Sequence, residues 1–145
     1  MQESRQPGGS ATRWGPLFGG HARDWAETWE GPEGWGIPLY EHVLDRAQIG
    51  SGTRVLDCGC GAGRFAQMAA DRGASVAGID AAGELVEIAA ERTPEGEFRV
   101  GDLEALPWPE DSFDVSPASA PSSSPTTRYG LSPRPGACRG GRSRW

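Results

Sequence analysis

The chain contains no lysine, and no aspartate or glutamate after Asp114. The first absence accompanies fourteen arginines, the bias that GC-rich codons produce, and it carries no functional signal. The second divides the molecule. All twenty acidic residues and nine of the fourteen arginines fall in residues 1–115, which carry −11, while residues 116–145 carry +5; the whole-chain value of −6 averages two unlike pieces. No window approaches the roughly 18 apolar residues of a membrane span, and Met1 to Gly20 lacks the apolar segment of a secretory signal. A soluble, cytoplasmic protein with no membrane partner is therefore expected. Cysteine is scarce: Cys58, Cys60 and a distant Cys138 make neither an even disulfide set nor a zinc spacing, and they suit a reducing compartment. No metal is expected, with a two-cysteine metal or redox site at Cys58 and Cys60 as the alternative. Histidine is limited to His21 and His42, and neither is spaced from an acid in a way that marks a general base. With −11 on residues 1–115 and no basic groove or interleaved aromatics, a nucleic-acid partner is excluded.

Glycine, by contrast, is concentrated where it matters. Val55-Leu56-Asp57-Cys58-Gly59-Cys60-Gly61-Ala62-Gly63-Arg64-Phe65 reads as the end of a buried parallel strand, a tight turn whose glycines let its backbone approach a ligand, and the start of a helix. Ala77-Gly78-Ile79-Asp80 follows one strand–helix–strand unit later, placing a carboxylate where it can accept from ribose hydroxyls. Both features point to a nucleoside cofactor. Asp57 selects among such cofactors, because a carboxylate before the turn repels the phosphates of a dinucleotide but suits a cation. S-adenosylmethionine carries a sulfonium and an ammonium and has no phosphate.

The arrangement resembles the class I S-adenosylmethionine-dependent methyltransferases, whose first motif, two apolar residues and Asp-x-Gly-x-Gly-x-Gly, falls here on Asp57, Gly59, Gly61 and Gly63. Gly61-Ala62-Gly63-Arg64-Phe65-Ala66 also satisfies the dinucleotide fingerprint, which leaves a dinucleotide-dependent oxidoreductase as the alternative. That register gives Asp57-Cys58-Gly59-Cys60 no role. The resemblance implies cofactor contacts from Asp57, Gly59, Cys60, Gly61, Asp80 and Ala81, with the adenine held after the third strand: Asp102 facing its exocyclic amine and Leu103 lying against its ring. Asp80 and Asp102 have a plainer alternative, capping the turns that follow them.

The intervening pattern agrees with this fold. Phe65, Met68 and Ala69 recur at helical spacing up to Arg72-Gly73, Ser75 to Ile79 is a short apolar strand, and Gly83 to Arg92 repeats the helix with Leu85, Ile88 and Ala89 on one face. Phe98-Arg99-Val100 is a third strand. The expected fold class is α/β, a Rossmann-like methyltransferase fold of which only the N-terminal half is present: three parallel strands with crossover helices, plus N-terminal helices and a disordered C-terminal tail. Residues 1–20 are expected as a disordered leader, 21–50 as cap helices, 51–115 as the cofactor-binding part of the domain and 116–145 as the tail. Trp25 and Trp29, four apart, share one face of the first cap helix, and Leu39, Val43, Leu44 and Ala47 share a face of the second. The resemblance makes Trp25 and Tyr40 candidate contacts to the methionine end of the cofactor and to the acceptor, with ordinary packing as their alternative.

The resemblance covers residues 21–115 and stops where the composition breaks. Residues 116–145 hold seven serines and five prolines, too few bulky apolar groups to offset an ordering cost of about 1–2 kcal/mol per residue. A one-base deletion accounts for this. Serine codons of the UCN type, read in the other frame, become Phe, Leu, Ile or Val, so Ser122-Ser123-Ser124 becomes an apolar strand. A frameshifted tail is the expectation, and a native disordered tail the alternative. On that expectation the half-sheet is marginally stable, its unfolding lacks normal cooperativity, and the chain is inactive. The function expected of the intact domain is methyl transfer to a small-molecule acceptor, with a non-catalytic cofactor-binding fragment as a further alternative.

Overall fold

The computed structural model describes residues 11–109 and 111–117. Its sheet has three parallel strands in the order β1-β2-β3: β1 (Arg54–Cys58), β2 (Ser75–Asp80) and β3 (Glu97–Val100). Leu56 pairs with Ala77, Asp57 with Gly78, and Ile79 with Arg99. Parallel neighbours require crossovers, and two helices supply them, α4 (Arg64–Asp71) after β1 and α5 (Gly83–Arg92) after β2. Each of these elements lies within two residues of the boundary that periodicity predicts. Gly73, at φ +91°, ends the first crossover in the left-handed conformation that glycine takes without strain.

Alternation along the strands divides the core. Val55 and Val76 face one side, where Leu44, Phe65, Ala66 and Ala69 cover them; Leu56, Cys58, Ala77 and Ile79 face the other, where Leu103, Leu106, Trp108 and Phe113 fold back over them. The second face is thus covered by a loop among the described residues. α2 (Ala22–Thr28) packs Ala22 and Ala26 against Ala62, Ala82 and Leu85, and α3 (Ile37–Arg46) contributes the fully buried Leu44. Both fall in the region expected to hold cap helices.

Two expected boundaries need correction. The stretch read as a disordered leader to residue 20 contains a helix, α1 (Ala11–Gly19), despite Gly15, Pro16 and Gly19 in its sequence. Its stability comes from docking: a Cβ on Gly15 would lie 2.6 Å from the Ala81 carbonyl oxygen, so the two backbones are in direct contact. At the other end, the chain continues in register beyond Val115. The outer edge of β1 is paired, with the Leu56 amide donating to the Val115 carbonyl at 3.0 Å and the Cys58 amide to the Pro117 carbonyl at 3.3 Å. Asp114 pins this segment, accepting from the Arg54 amide at 2.9 Å and from its guanidinium at 3.2 Å. Ser116 and Pro117 therefore do not belong to a disordered tail; residues 118–145, with the expected frameshift, lie outside the described residues. No described helix is long and apolar enough to cross a membrane.

Candidate functional site

The carboxyl ends of the three strands form one rim. β1 runs out into the turn Gly59–Gly63, whose Gly59 and Cys60 amides donate to the Ile79 carbonyl of β2 at 2.8 and 3.1 Å. Gly59, Gly61 and Gly63 have φ of +76°, +54° and +80°, a left-handed succession open only to glycine without strain. Asp80 ties the second strand end to this turn: one carboxylate oxygen accepts from the Gly61 amide and the other from the Ala82 amide, each at 2.9 Å. The Gly101 amide donates to the Asp80 carbonyl at 2.9 Å, which sets Asp102 and Leu103 beside the same rim. All eight predicted contacts, Asp57, Gly59, Cys60, Gly61, Asp80, Ala81, Asp102 and Leu103, are thus gathered along it.

Their surroundings differ. Asp57, within β1, is 1% exposed, and Cys60 and Gly61 in the turn are buried too. Asp80, Ala81, Asp102 and Leu103 are partly exposed, and Leu103 would meet a Cβ on Gly59 at 3.9 Å. Asp102 accepts from the Glu104 amide at 3.0 Å, the turn-capping contact weighed as its alternative, and from the Ala11 amide at 3.4 Å. Helix α1 accordingly crosses the rim at its Asp102 and Ala81 end.

The rim is electrostatically negative. Burial raises the Cys60 thiol pKa, and Asp57, Asp80 and Glu30 raise it further; burial does the same for Cys58. Both groups are held as thiols, the opposite of what a redox nucleophile needs. Among the described residues no group of three His, Cys, Asp or Glu is placed to hold a metal ion.

Sequence reading missed Glu30. It lies two residues beyond the end of α2, in Trp29-Glu30-Gly31, and is 3% exposed. One of its oxygens accepts from the Trp25 indole at 2.8 Å and the Ala62 amide at 3.1 Å; the other accepts from the Arg64 amide at 3.0 Å and the Arg92 guanidinium at 3.3 Å. Its backbone carbonyl takes the Arg64 guanidinium at 2.7 Å. Helix α4 has no acid of its own in its first turn, and Glu30 supplies one from 34 residues away. No local spacing could have signalled this. The close approach predicted at Gly61 is real, but the group that approaches is Glu30, whose carboxylate a Cβ at Gly61 would overlap.

Trp25 lies at the turn through this hydrogen bond and stacks on Trp29 with centroids 5.6 Å apart. Tyr40 packs edge-on against Phe65 at 5.7 Å. Its phenol is pushed up to about 12 by burial, then by Glu30 and Asp57, so it faces the acidic side of the site. His21 is exposed on α2's N-terminal side, 3.9 Å from Asp24, and His42 is exposed on α3. Neither is brought to the rim by any contact described.

Comparison with known proteins agrees with this geometry. Residues 55–122 match the family model described as a methyltransferase domain. The chain is 32% identical over 75 residues to a malonyl-[acyl-carrier protein] O-methyltransferase of Serratia marcescens, covering 52% of this chain and 29% of that protein. It is 35% identical over 73 residues to a demethylmenaquinone methyltransferase of Renibacterium salmoninarum, covering 50% and 31%. Among solved structures, a TehB-like SAM-dependent methyltransferase of Corynebacterium glutamicum superposes with a TM-score of 0.54 at 27% identity, covering 75% of this chain and 56% of that one. The chain spans about a third of the length of these two curated relatives.

Proposed function

We propose that the chain carries, around the residues 55–122 that match a methyltransferase domain, the cofactor-binding part of a class I S-adenosylmethionine-dependent methyltransferase, and that its rim binds S-adenosylmethionine for methyl transfer to a small-molecule acceptor. The observation that carries the reading is the set of three carboxylates at the glycine turn: Asp57 buried in the strand that leads into it, Asp80 on the Gly61 amide and Glu30 on the Ala62 amide. Such a field attracts a sulfonium and an ammonium and repels phosphates.

The residues present fit this cofactor by their chemistry. Asp80 accepts from the Gly61 and Ala82 amides, and each of its oxygens has a second lone pair for a ribose hydroxyl. Asp102 offers an acceptor to the adenine amine, and Leu103 and Ala81 offer apolar contact to its ring. Gly59 presents partly exposed backbone at the rim, Cys60 and Gly61 continue the turn beneath it, and the buried Asp57 lends its charge. When bound, S-adenosylmethionine supplies a methyl group made electrophilic by the sulfonium. Displacement at that carbon asks the protein for alignment and exclusion of water rather than for a nucleophile of its own. Helices α1, α2 and α3, with Trp25 and Tyr40, form the side of the site that can exclude water. As the chain spans about a third of its curated relatives, cofactor binding is the part assigned to these residues, and acceptor selection belongs to the whole domain.

Isothermal titration of the purified chain distinguishes this from the oxidoreductase alternative. S-adenosylhomocysteine should bind and NADH should not. Binding of NADH with no response to S-adenosylhomocysteine would overturn the proposal.

A further inference from the structure

Glu30 belongs to no motif in the sequence, and the proposed transfer draws only on its charge. Yet its carboxylate receives four donors: the Trp25 indole, the Ala62 and Arg64 amides and the Arg92 guanidinium. The two amides flank Gly63, the residue that opens α4. In a turn of the pattern Gly-x-Gly-x-x-Ala, this is where backbone N–H groups and the positive end of the helix dipole hold a pyrophosphate. The chain has filled that cradle with its own anion. Arg92 is fixed there, with its second nitrogen donating to the Ala26 carbonyl at 2.8 Å and its first to the Ala62 carbonyl at 3.0 Å. Gly61 is shaped to the same end, since any side chain at that position would displace the Glu30 carboxylate.

We propose that Glu30 is a built-in anion that determines the cofactor class of this site: by occupying the phosphate cradle of the glycine turn, it closes the turn to pyrophosphate-bearing dinucleotides and leaves the rim to a phosphate-free, cationic nucleoside. The second half of this statement rests on the methyltransferase reading; the first does not. Removal of the carboxylate leaves two amides, an indole N–H and a guanidinium converging on one point, a receptor for an external oxyanion.

The test compares the full chain with its Glu30→Ala and Glu30→Gln variants. Inorganic pyrophosphate is titrated calorimetrically, and thermal midpoints are measured in pyrophosphate and in chloride at equal ionic strength. Wild type should show no pyrophosphate binding. Glu30→Ala should gain it, binding at least about tenfold more tightly, and its midpoint should rise saturably with the anion. Glu30→Gln keeps the cradle filled without the charge and should gain nothing. Should the alanine variant be unfolded in chloride, recovery of native circular dichroism in pyrophosphate supports the proposal, and failure to recover overturns it. A folded alanine variant indifferent to pyrophosphate, or a wild type that binds it equally well, also overturns it. The two readings fail separately: wild type that ignores S-adenosylhomocysteine while the alanine variant gains pyrophosphate removes the methyltransferase reading and leaves the role of Glu30 standing.

Discussion

Asp80 is asked to do two things at the end of β2. It receives the Gly61 and Ala82 amides at 2.9 Å, which locks the turn to the second strand, and it is the carboxylate proposed to hold the ribose. Asp80→Ala should therefore weaken S-adenosylhomocysteine binding by about 1–3 kcal/mol while the far-ultraviolet circular dichroism is retained. Asp80→Asn, which keeps an acceptor for one amide, should lose less. Unchanged affinity in the alanine variant would remove Asp80 from the cofactor site. Its position and chemistry were readable from the sequence because one strand–helix–strand unit fixes the distance from the glycine turn. Glu30 was not readable, because its partners Ala62, Arg64 and Arg92 lie 32, 34 and 62 residues away and only the docking of α2 brings them together.

The glycine turn joins the two crossover helices as well as two strands. Gly63 sits at φ +80°, and a Cβ there would come 2.6 Å from the Ala89 side chain and 2.8 Å from its Cα, on α5. Gly63→Ala should cost about 2–5 kcal/mol, combining left-handed strain of about 1–2 with overpacking of about 1–3. Gly52 is the control, with φ +82° and nothing within 4 Å of a Cβ; Gly52→Ala should cost only the conformational part. Urea unfolding of both variants separates the terms, and equal losses would mean that the α4–α5 contact contributes nothing. The crossover helices were legible because each buries a face at helical spacing, Phe65 and Ala69 on α4, Leu85 and Ala89 on α5. Helix α1 was not. Its glycines and internal proline lower its propensity, and it is helical because the strand ends and α5 give it a surface to dock on.

Stability of the whole molecule carries a signature of its acidic interior. The Tyr40 phenol stands at about 12 when folded, against 10.0 for the free side chain. Between those values the native state holds a proton that the unfolded chain has released, so this contribution is intact below pH 10 and is lost as pH rises towards 12. Cys58 and Cys60, raised from 9.0 by burial and neighbouring carboxylates, begin the same loss about one unit earlier. Tyr40→Phe should flatten the fall in unfolding midpoint between pH 10 and pH 12 and leave the part near pH 9 in place. A variant whose midpoint falls as steeply as wild type over the upper interval would show that Tyr40 does not couple to folding. The sheet has a related dependence on its edges. The outer side of β1 is paired through Val115 and Pro117, and Arg54 and Asp114, 60 residues apart, secure the contact.

The sequence by itself determined the order and type of the strands and crossover helices, the location of the rim and the chemistry it favours. Those depend on local periodicity, on backbone angles open only to glycine, and on the charge of Asp57 and Asp80. Tertiary structure decided what fills the turn, what crosses the rim and what closes the edge of β1. Glu30, α1 and Val115–Pro117 owe their places to partners distant along the chain, and no local pattern encodes a hydrogen bond between segments that meet only when the sheet has formed.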